Sequence, residues 1–202
     1  NLVKLSDFAG KKLVLYFLYK RKFHSLHHSS FVADCRMLTP KCIGVGKNCI
    51  TWYNCRIEGV TKYNEKTYDP LIVLEDGVKI QQNCHITCAN KIVIGANTCI
   101  SAGVTITDIN HRYQNVNVAV ENQDLEIKFV SIGADSKIYN GAVILPGVTI
   151  GKHCVVGANS VVVYDIPDYC VAVGAPAYIV KRYNFESRIW EKTDKNGNFI
   201  GS

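Results

Sequence analysis

The sequence predicts a mainly β protein built as a parallel β-helix, and three observations carry that prediction. Aliphatic residues recur every six positions through Ile132, Ile138, Ile144, Ile150, Val156 and Val162. Four positions after each of them stand Ser136, Ala142, Val148, Cys154, Ser160 and Ile166, mostly small. Gly133, Gly151 and Gly157 directly follow three of the lead residues. A period of six fits neither the roughly 3.6 of a helix nor the 2 of a simple strand; it fits a solenoid of short strands and tight turns. Three such units close a triangular coil of about eighteen residues, with the lead aliphatics pointing inward and stacking from coil to coil.

The elements follow in order. Residues 1–30 read as an N-terminal extension, partly helical, with His24, His27 and His28 on a solvated stretch. Its apolar run Leu13 to Tyr19 lies between basic residues and is far shorter than the ~20 residues of a spanning helix, so it packs or rests at an interface. The solenoid occupies 31–180. It begins weakly, with Ile43, Cys49 and Cys55 in the lead slot, and breaks at a polar, Tyr-rich loop from Gly59 to Pro70. The period resumes at Leu74, Ile80 and Ile86. It then shifts by two residues, implying a bulged turn near Asn90 and Lys91, and continues at Ile94, Ile100 and Ile106. The largest break is the insertion Thr107 to Ser131; long insertions in compact domains are usually functional. After the regular run come a turn at Asp165-Ile166-Pro167 and the segment Val173-Gly174-Ala175-Pro176-Ala177. Residues 181–202 form a tail. Within it Asn184 to Lys192 is expected as a short helix capped by Asn184, covering the open end of the solenoid.

Composition excludes several classes. The chain has 202 residues, 48% hydrophobic and 20% charged, which describes a folded protein rather than a disordered one. A net charge of +6 without a nucleic-acid-binding motif points away from DNA and RNA and toward an anionic cofactor or a membrane surface. Nine cysteines cannot all pair, and no C-x-x-C occurs. Cys84 and Cys154 take the small slot, so the cysteines read as core filler in a reducing cytoplasm, not as zinc ligands. The expected location is cytoplasmic, with the basic, apolar start able to rest on the inner face of the membrane.

Three segments resemble a known family. Ile132-Gly133-Ala134-Asp135 through Ile144-Leu145-Pro146-Gly147-Val148-Thr149-Ile150-Gly151, then Val156 to Val162, then Val173-Gly174-Ala175-Pro176-Ala177 are similar to the hexapeptide-repeat acyltransferases. The resemblance is to the branch holding galactoside and maltose acetyltransferases and the sugar O-acetyltransferases of polysaccharide clusters, and it is specific from about Ile94 to Arg182. It implies a left-handed coil, a homotrimer with active sites between subunits, acetyl-CoA as donor, no metal, and a sugar or glycan hydroxyl as acceptor in capsule, O-antigen or exopolysaccharide assembly.

The resemblance also implies a catalytic histidine in the insertion, and His111 is the only imidazole there. The chemistry asks for one: a sugar hydroxyl is a poor nucleophile until a base takes its proton, and a histidine of ordinary pKa near ~6.5 is suited to that near neutrality. Transfer would be direct, with no acyl-enzyme. Asp108 is the candidate to orient the ring and settle its tautomer. By position, Asn140, Ala158, Val163, Tyr164, Tyr178 and Lys181 match family sites that meet acetyl-CoA, with Lys181 suited to a phosphate. Amino-sugar N-acetylation and serine O-acetylation share this base chemistry and stay open. A zinc carbonic anhydrase would need three converging histidines, for which only His85, His111 and His153 offer themselves, widely spaced. A non-catalytic scaffold is the remaining alternative.

Overall fold

A computed structural model describes residues 20–195 and 197–200. Three parallel sheets form the faces of a triangular β-helix. The first face runs from Ser25–Leu26 to Thr149–Ile150, the second from Phe31–Val32 onward, and the third from Met37–Leu38 to Val161–Val162. Strands are mostly two to four residues long. In the regular run one coil takes eighteen positions: Ile132 pairs Ile150, Ile138 pairs Val156, and Ile144 pairs Val162. The coil that carries the insertion takes thirty-eight, as Ile100 pairs Ile138, and the one before it takes twenty, as Ile80 pairs Ile100 and Ile86 pairs Ile106.

The period of six exists because each strand sends one aliphatic inward and each corner needs a turn. On the first face Val45, Leu74, Ile94, Ile132 and Ile150 stack in register; on the third, Ile57, Ile86, Ile106, Ile144 and Val162 do so. All ten are buried. Each fully buried aliphatic contributes about 1.5–3 kcal/mol, so these ladders are the main stabilising feature. The corners turn through left-handed backbone, at Asn83 (φ 62°) and Asn159 (φ 55°) for example, where asparagine tolerates positive φ.

The first coils are in a register different from the expected one. Thr51 and Ile57 hold the inward slot that Cys49 and Cys55 were expected to hold. Both cysteines sit two residues earlier, in the small slot, where Ile50 N–H takes the carbonyl of Val78 and Arg56 N–H that of Cys84. The strand Ile43–Val45 presents two inward side chains, Ile43 and Val45, and the true phase follows the second. All nine cysteines are free thiols, seven of them buried.

The first described strand, Ser25–Leu26, pairs with Gly44–Val45, so the first face starts inside the expected extension. His24 and His28 are exposed. The run Leu13 to Tyr19 lies outside the described residues. The tail helix is replaced by strands. Cys170–Gly174, Ala177–Asn184 and Ile189–Lys192 form an antiparallel meander that extends the second face. Asn184 does not cap a helix: its Oδ1 accepts the Glu186 N–H at 2.9 Å and its Nδ2 donates to Glu191 at 3.1 Å, closing the turn between the last two strands. Trp190 and Tyr183 pack edge to face, and His153 stacks on Trp190, which gives the hairpin its own apolar contacts.

Candidate active site

The site forms where the chain leaves the third face for the first. Both long interruptions leave at this corner, one after Ile57 and one after Ile106. They are therefore neighbours in space. The earlier one carries a small hairpin, Lys62–Tyr63 against Lys66–Thr67. The later one carries Ile109–His111 paired antiparallel with Leu125–Ile127, and a short 3-10 turn at Val120–Asn122. Three residues tie the hairpin to the insertion. Tyr63 Oη donates to Glu121, Asn64 Nδ2 donates to the Glu121 carbonyl at 3.4 Å, and Lys66 pairs with Asp124 at 2.7 Å.

A cleft of about 460 Å³ lies over the third face between these two loops. Its floor carries Arg56, Glu58, His85, Thr87 and Thr107, the outward residues of successive coils, and its wall carries Tyr63 and His111. His111 Nδ1 lies 3.2 Å from Tyr63 Oη, with the rings edge to face at 5.3 Å. The same Tyr63 oxygen lies 2.6 Å from the Glu121 carbonyl and 3.0 Å from Glu121 Oε2. Loss of water contact and then the Glu121 hydrogen bond push the Tyr63 phenol up, so it holds its proton. Burial first, then Arg56 and Arg36, pushes the His85 imidazole down. Arg56 is itself paired with Glu58.

Asp108 does not orient His111. Its side chain is fully buried, with Oδ1 accepting the Ala89 N–H at 2.7 Å and Oδ2 accepting the Asn90 N–H at 2.8 Å and the Cys88 thiol at 3.3 Å. Alternation along the chain explains this: Asp108 points inward and pins the two-residue expansion of the coil below, while His111, three residues on, faces the cleft. Tyr63 lies within the polar, Tyr-rich loop and Glu121 within the long insertion, and the sequence pattern singled out neither. The legible signal was the shared phase of the two interruptions.

The six expected cofactor residues fall in three places. Asn140 and Ala158 are exposed and stack one coil apart on the corner between the second and third faces, with the Asn140 carbonyl accepting from Asn159. Val163 and Tyr164 occupy the opposite edge of the third face, the edge from which the insertion leaves; Tyr164 is 73% exposed. Tyr178 and Lys181 lie on the strand Ala177–Asn184, and the turn before it is fastened to the first of these corners by Gly174 N–H on Ser160 Oγ at 3.1 Å. None of the six hydrogen-bonds His111. His153 lies against Trp190 while His85 and His111 line the cleft, and no group of three or more metal-ligating side chains occurs among the described residues.

The family model described as Bacterial transferase hexapeptide (six repeats) matches residues 129–163. A protein of Escherichia coli K12, provisionally named lipopolysaccharide biosynthesis O-acetyl transferase WbbJ, is 32% identical over 176 residues, 80% of this chain and 86% of that protein. The chain belongs to the hexapeptide-repeat acetyltransferase family. The acetyltransferase also matches a serine acetyltransferase of Staphylococcus aureus, 32% identical over 55% of this chain and 49% of that one. Its fold matches a hexapeptide-repeat acetyltransferase of Vibrio cholerae solved with acetyl-CoA, at TM-score 0.59 and 23% identity over 87% of this chain and 85% of the other. It also matches the Bacillus cereus N-acyltransferase AntD, solved with CoA and an amino-sugar nucleotide, at TM-score 0.57 and 18% identity over 85% and 90%. The β-helix of this acetyltransferase is left-handed, as in that fold class.

Proposed function

We propose that the protein is an acetyl-CoA-dependent O-acetyltransferase that acts on a sugar hydroxyl during polysaccharide or lipopolysaccharide assembly. The observation that carries this reading is His111 on the wall of the cleft, held by Tyr63, in a chain that aligns over most of its length with an O-acetyltransferase of lipopolysaccharide biosynthesis.

Acetyl-CoA fits the edges of the third face. Asn140 and Ala158 offer exposed backbone corners for an extended arm, and exposed Lys181 forms no ion pair among the described residues, leaving it available to a phosphate. When bound, the cofactor supplies an acetyl group activated as a thioester. His111 takes the proton from the acceptor hydroxyl as its oxygen bonds to the acetyl carbon and the carbon–sulfur bond breaks. The proton then passes from His111 to the departing thiolate, which returns the imidazole to its neutral form. Active sites shared between three copies, and a cytoplasmic site of action at the membrane face, complete the reading. Among the described residues no helix is long and apolar enough to cross a membrane.

The test is acetyl transfer from acetyl-CoA to a panel of glycans, amino sugars and serine, for the wild type and for His111→Ala and His85→Ala. Transfer to glycan hydroxyls, with a loss of roughly 10²–10⁴-fold in His111→Ala, is expected for removal of a general base. Equal rates in wild type and His111→Ala end the assignment, and a larger loss in His85→Ala moves the base to His85. Preference for amino sugars or serine replaces the acceptor.

A further inference from the structure

We propose that Tyr63 and Glu121 are a positioning pair that holds His111 as its Nδ1–H tautomer and leaves Nε2 free to act as the base; this deepens the reading of His111 above and rests on it.

The argument is a count of hydrogens. Tyr63 Oη carries one hydrogen and has three polar neighbours: the Glu121 carbonyl at 2.6 Å, Glu121 Oε2 at 3.0 Å and His111 Nδ1 at 3.2 Å. Both Glu121 oxygens can only accept while the carboxylate is ionised. If the phenol donated to His111, its lone pairs would face two acceptors with no hydrogen between them. Donation to Glu121, with the one hydrogen shared between its carbonyl and carboxylate oxygens, turns the hydrogen toward both acceptors, and a lone pair of Oη is then left for Nδ1–H. The neutral imidazole has one N–H, so placing it on Nδ1 strips Nε2 of its proton.

The raised phenol pKa keeps the hydrogen on Tyr63. Glu121 contributes twice. Its carbonyl anchors the phenol, and its carboxylate offers the same phenol a second acceptor. The other charged groups facing the cleft do not compete for His111. Arg56 and Glu58 pair with each other, Lys66 pairs with Asp124, and Lys62 and His85 line the cleft without a hydrogen bond to the ring. Tyr63 and Glu121 come from two separate interruptions of the solenoid, so the pair forms only when hairpin and insertion are docked. Neither residue meets the reacting atoms; both act through His111.

Nitrogen-15 NMR of histidine-labelled protein reads the tautomer directly, using His111→Ala to assign the signal. The wild type is expected to show His111 protonated at Nδ1 in its neutral form, and Tyr63→Phe to move it toward the Nε2–H form. In steady-state transfer, Tyr63→Phe is expected to lower kcat by roughly 10- to 100-fold with the KM for acetyl-CoA unchanged, a loss in the step that needs the base. Glu121→Gln should cost less, because the Glu121 carbonyl remains, and the double variant should be no worse than Tyr63→Phe alone, since the two residues act as one unit. An Nε2–H tautomer in the wild type overturns the pair, as does an unchanged tautomer in Tyr63→Phe, or additive losses in the double variant. These outcomes stand apart from failure of the base assignment: an active His111→Ala ends the base role, whereas the tautomer still reports on Tyr63 and Glu121.

Discussion

Asp108 reaches back one coil to Ala89, and its Oδ1 accepts the Ala89 N–H at 2.7 Å while Oδ2 serves Asn90 and the Cys88 thiol. This carboxylate satisfies donors that the two-residue expansion of the coil would otherwise bury unpaired. Asp108→Ala is expected to destabilise the protein by about 2–5 kcal/mol, because it strands buried donors. Asp108→Asn keeps one acceptor but aims N–H groups at the remaining donors, and should cost about 1–3 kcal/mol. Denaturant midpoints measure both. A variant of unchanged stability that has lost its transfer activity would restore Asp108 to the chemistry.

The close stacking of coils sets a second limit, at Gly133. A Cβ there would lie 2.5 Å from Gly151 C and from Lys152 N, which are backbone atoms of the next coil and cannot swing aside. Gly133→Ala must push two coils apart, at an expected cost of about 1–3 kcal/mol. Gly103 makes the control. Its Cβ would meet nothing nearer than Gly141 N at 3.9 Å, so Gly103→Ala is charged only for the left-handed backbone at φ +71°, about 1 kcal/mol. If thermal unfolding finds the two variants equally affected, coil-to-coil contact is not what the glycine at 133 serves.

The solenoid was legible because its physics is local and repeats. One inward aliphatic per strand prints a period on the sequence, and from Ile132 to Val162 nothing interrupts it. The first coils blur because Ile43 and Val45 both point inward, which offers two phases, and the false one places cysteines in the lead slot. The tail misled because Asn184 satisfies the local rule for a helix cap and for a turn equally; pairing of Ala177–Asn184 with its two neighbours decides between them, and that pairing is tertiary. At the site, His111 stood out as the one imidazole of the insertion. Its partner did not, since Tyr63 lies 48 positions away and meets it only through the stacking of two interruptions at one corner. Asp108 was misassigned because nearness in sequence says nothing about which side of a strand faces the cleft.

The meander at the end of the chain has an energetic role that can be measured. Trp190 stacks on His153 at 6.2 Å and meets Tyr183 edge to face at 5.7 Å, joining the last strand to a corner of the solenoid. Aromatic pairs of this kind contribute about 0.5–1.5 kcal/mol each beyond their buried area. Trp190→Ala is expected to expose the turn of residues 185–188 to protease well before the β-helix unfolds, whereas Trp52→Ala, in the early coils, should leave that susceptibility unchanged. Equal proteolysis of wild type and Trp190→Ala at that turn would show the meander is held by its backbone ladder alone.

The buried thiols give stability a pH dependence whose sign follows from their surroundings. Cys154 is fully buried, its Sγ donates to the Pro167 carbonyl at 3.0 Å, and burial pushes its pKa up to about 11. In the unfolded chain the same thiol ionises near 9.0. Below that pH both states hold the proton and Cys154 adds no pH dependence. Between about 9 and 11 the unfolded chain has released the proton and the folded one has not, so stability falls as pH rises, by about 1.4 kcal/mol per pH unit for the one thiol. Burial raises Cys88 as well, with Asp108 adding to it, so the wild-type decline should be steeper than one thiol alone produces. Tyrosines and lysines also titrate in this range, and the comparison with Cys154→Ala removes them. That variant is expected to be less stable at pH 8, where the lost packing and the unpaired Pro167 carbonyl dominate, yet to decline less steeply from pH 9 to 11. Parallel declines in the two proteins, measured by urea unfolding across that window, would mean that Cys154 titrates alike in the folded and unfolded chains and that its burial does not hold the proton.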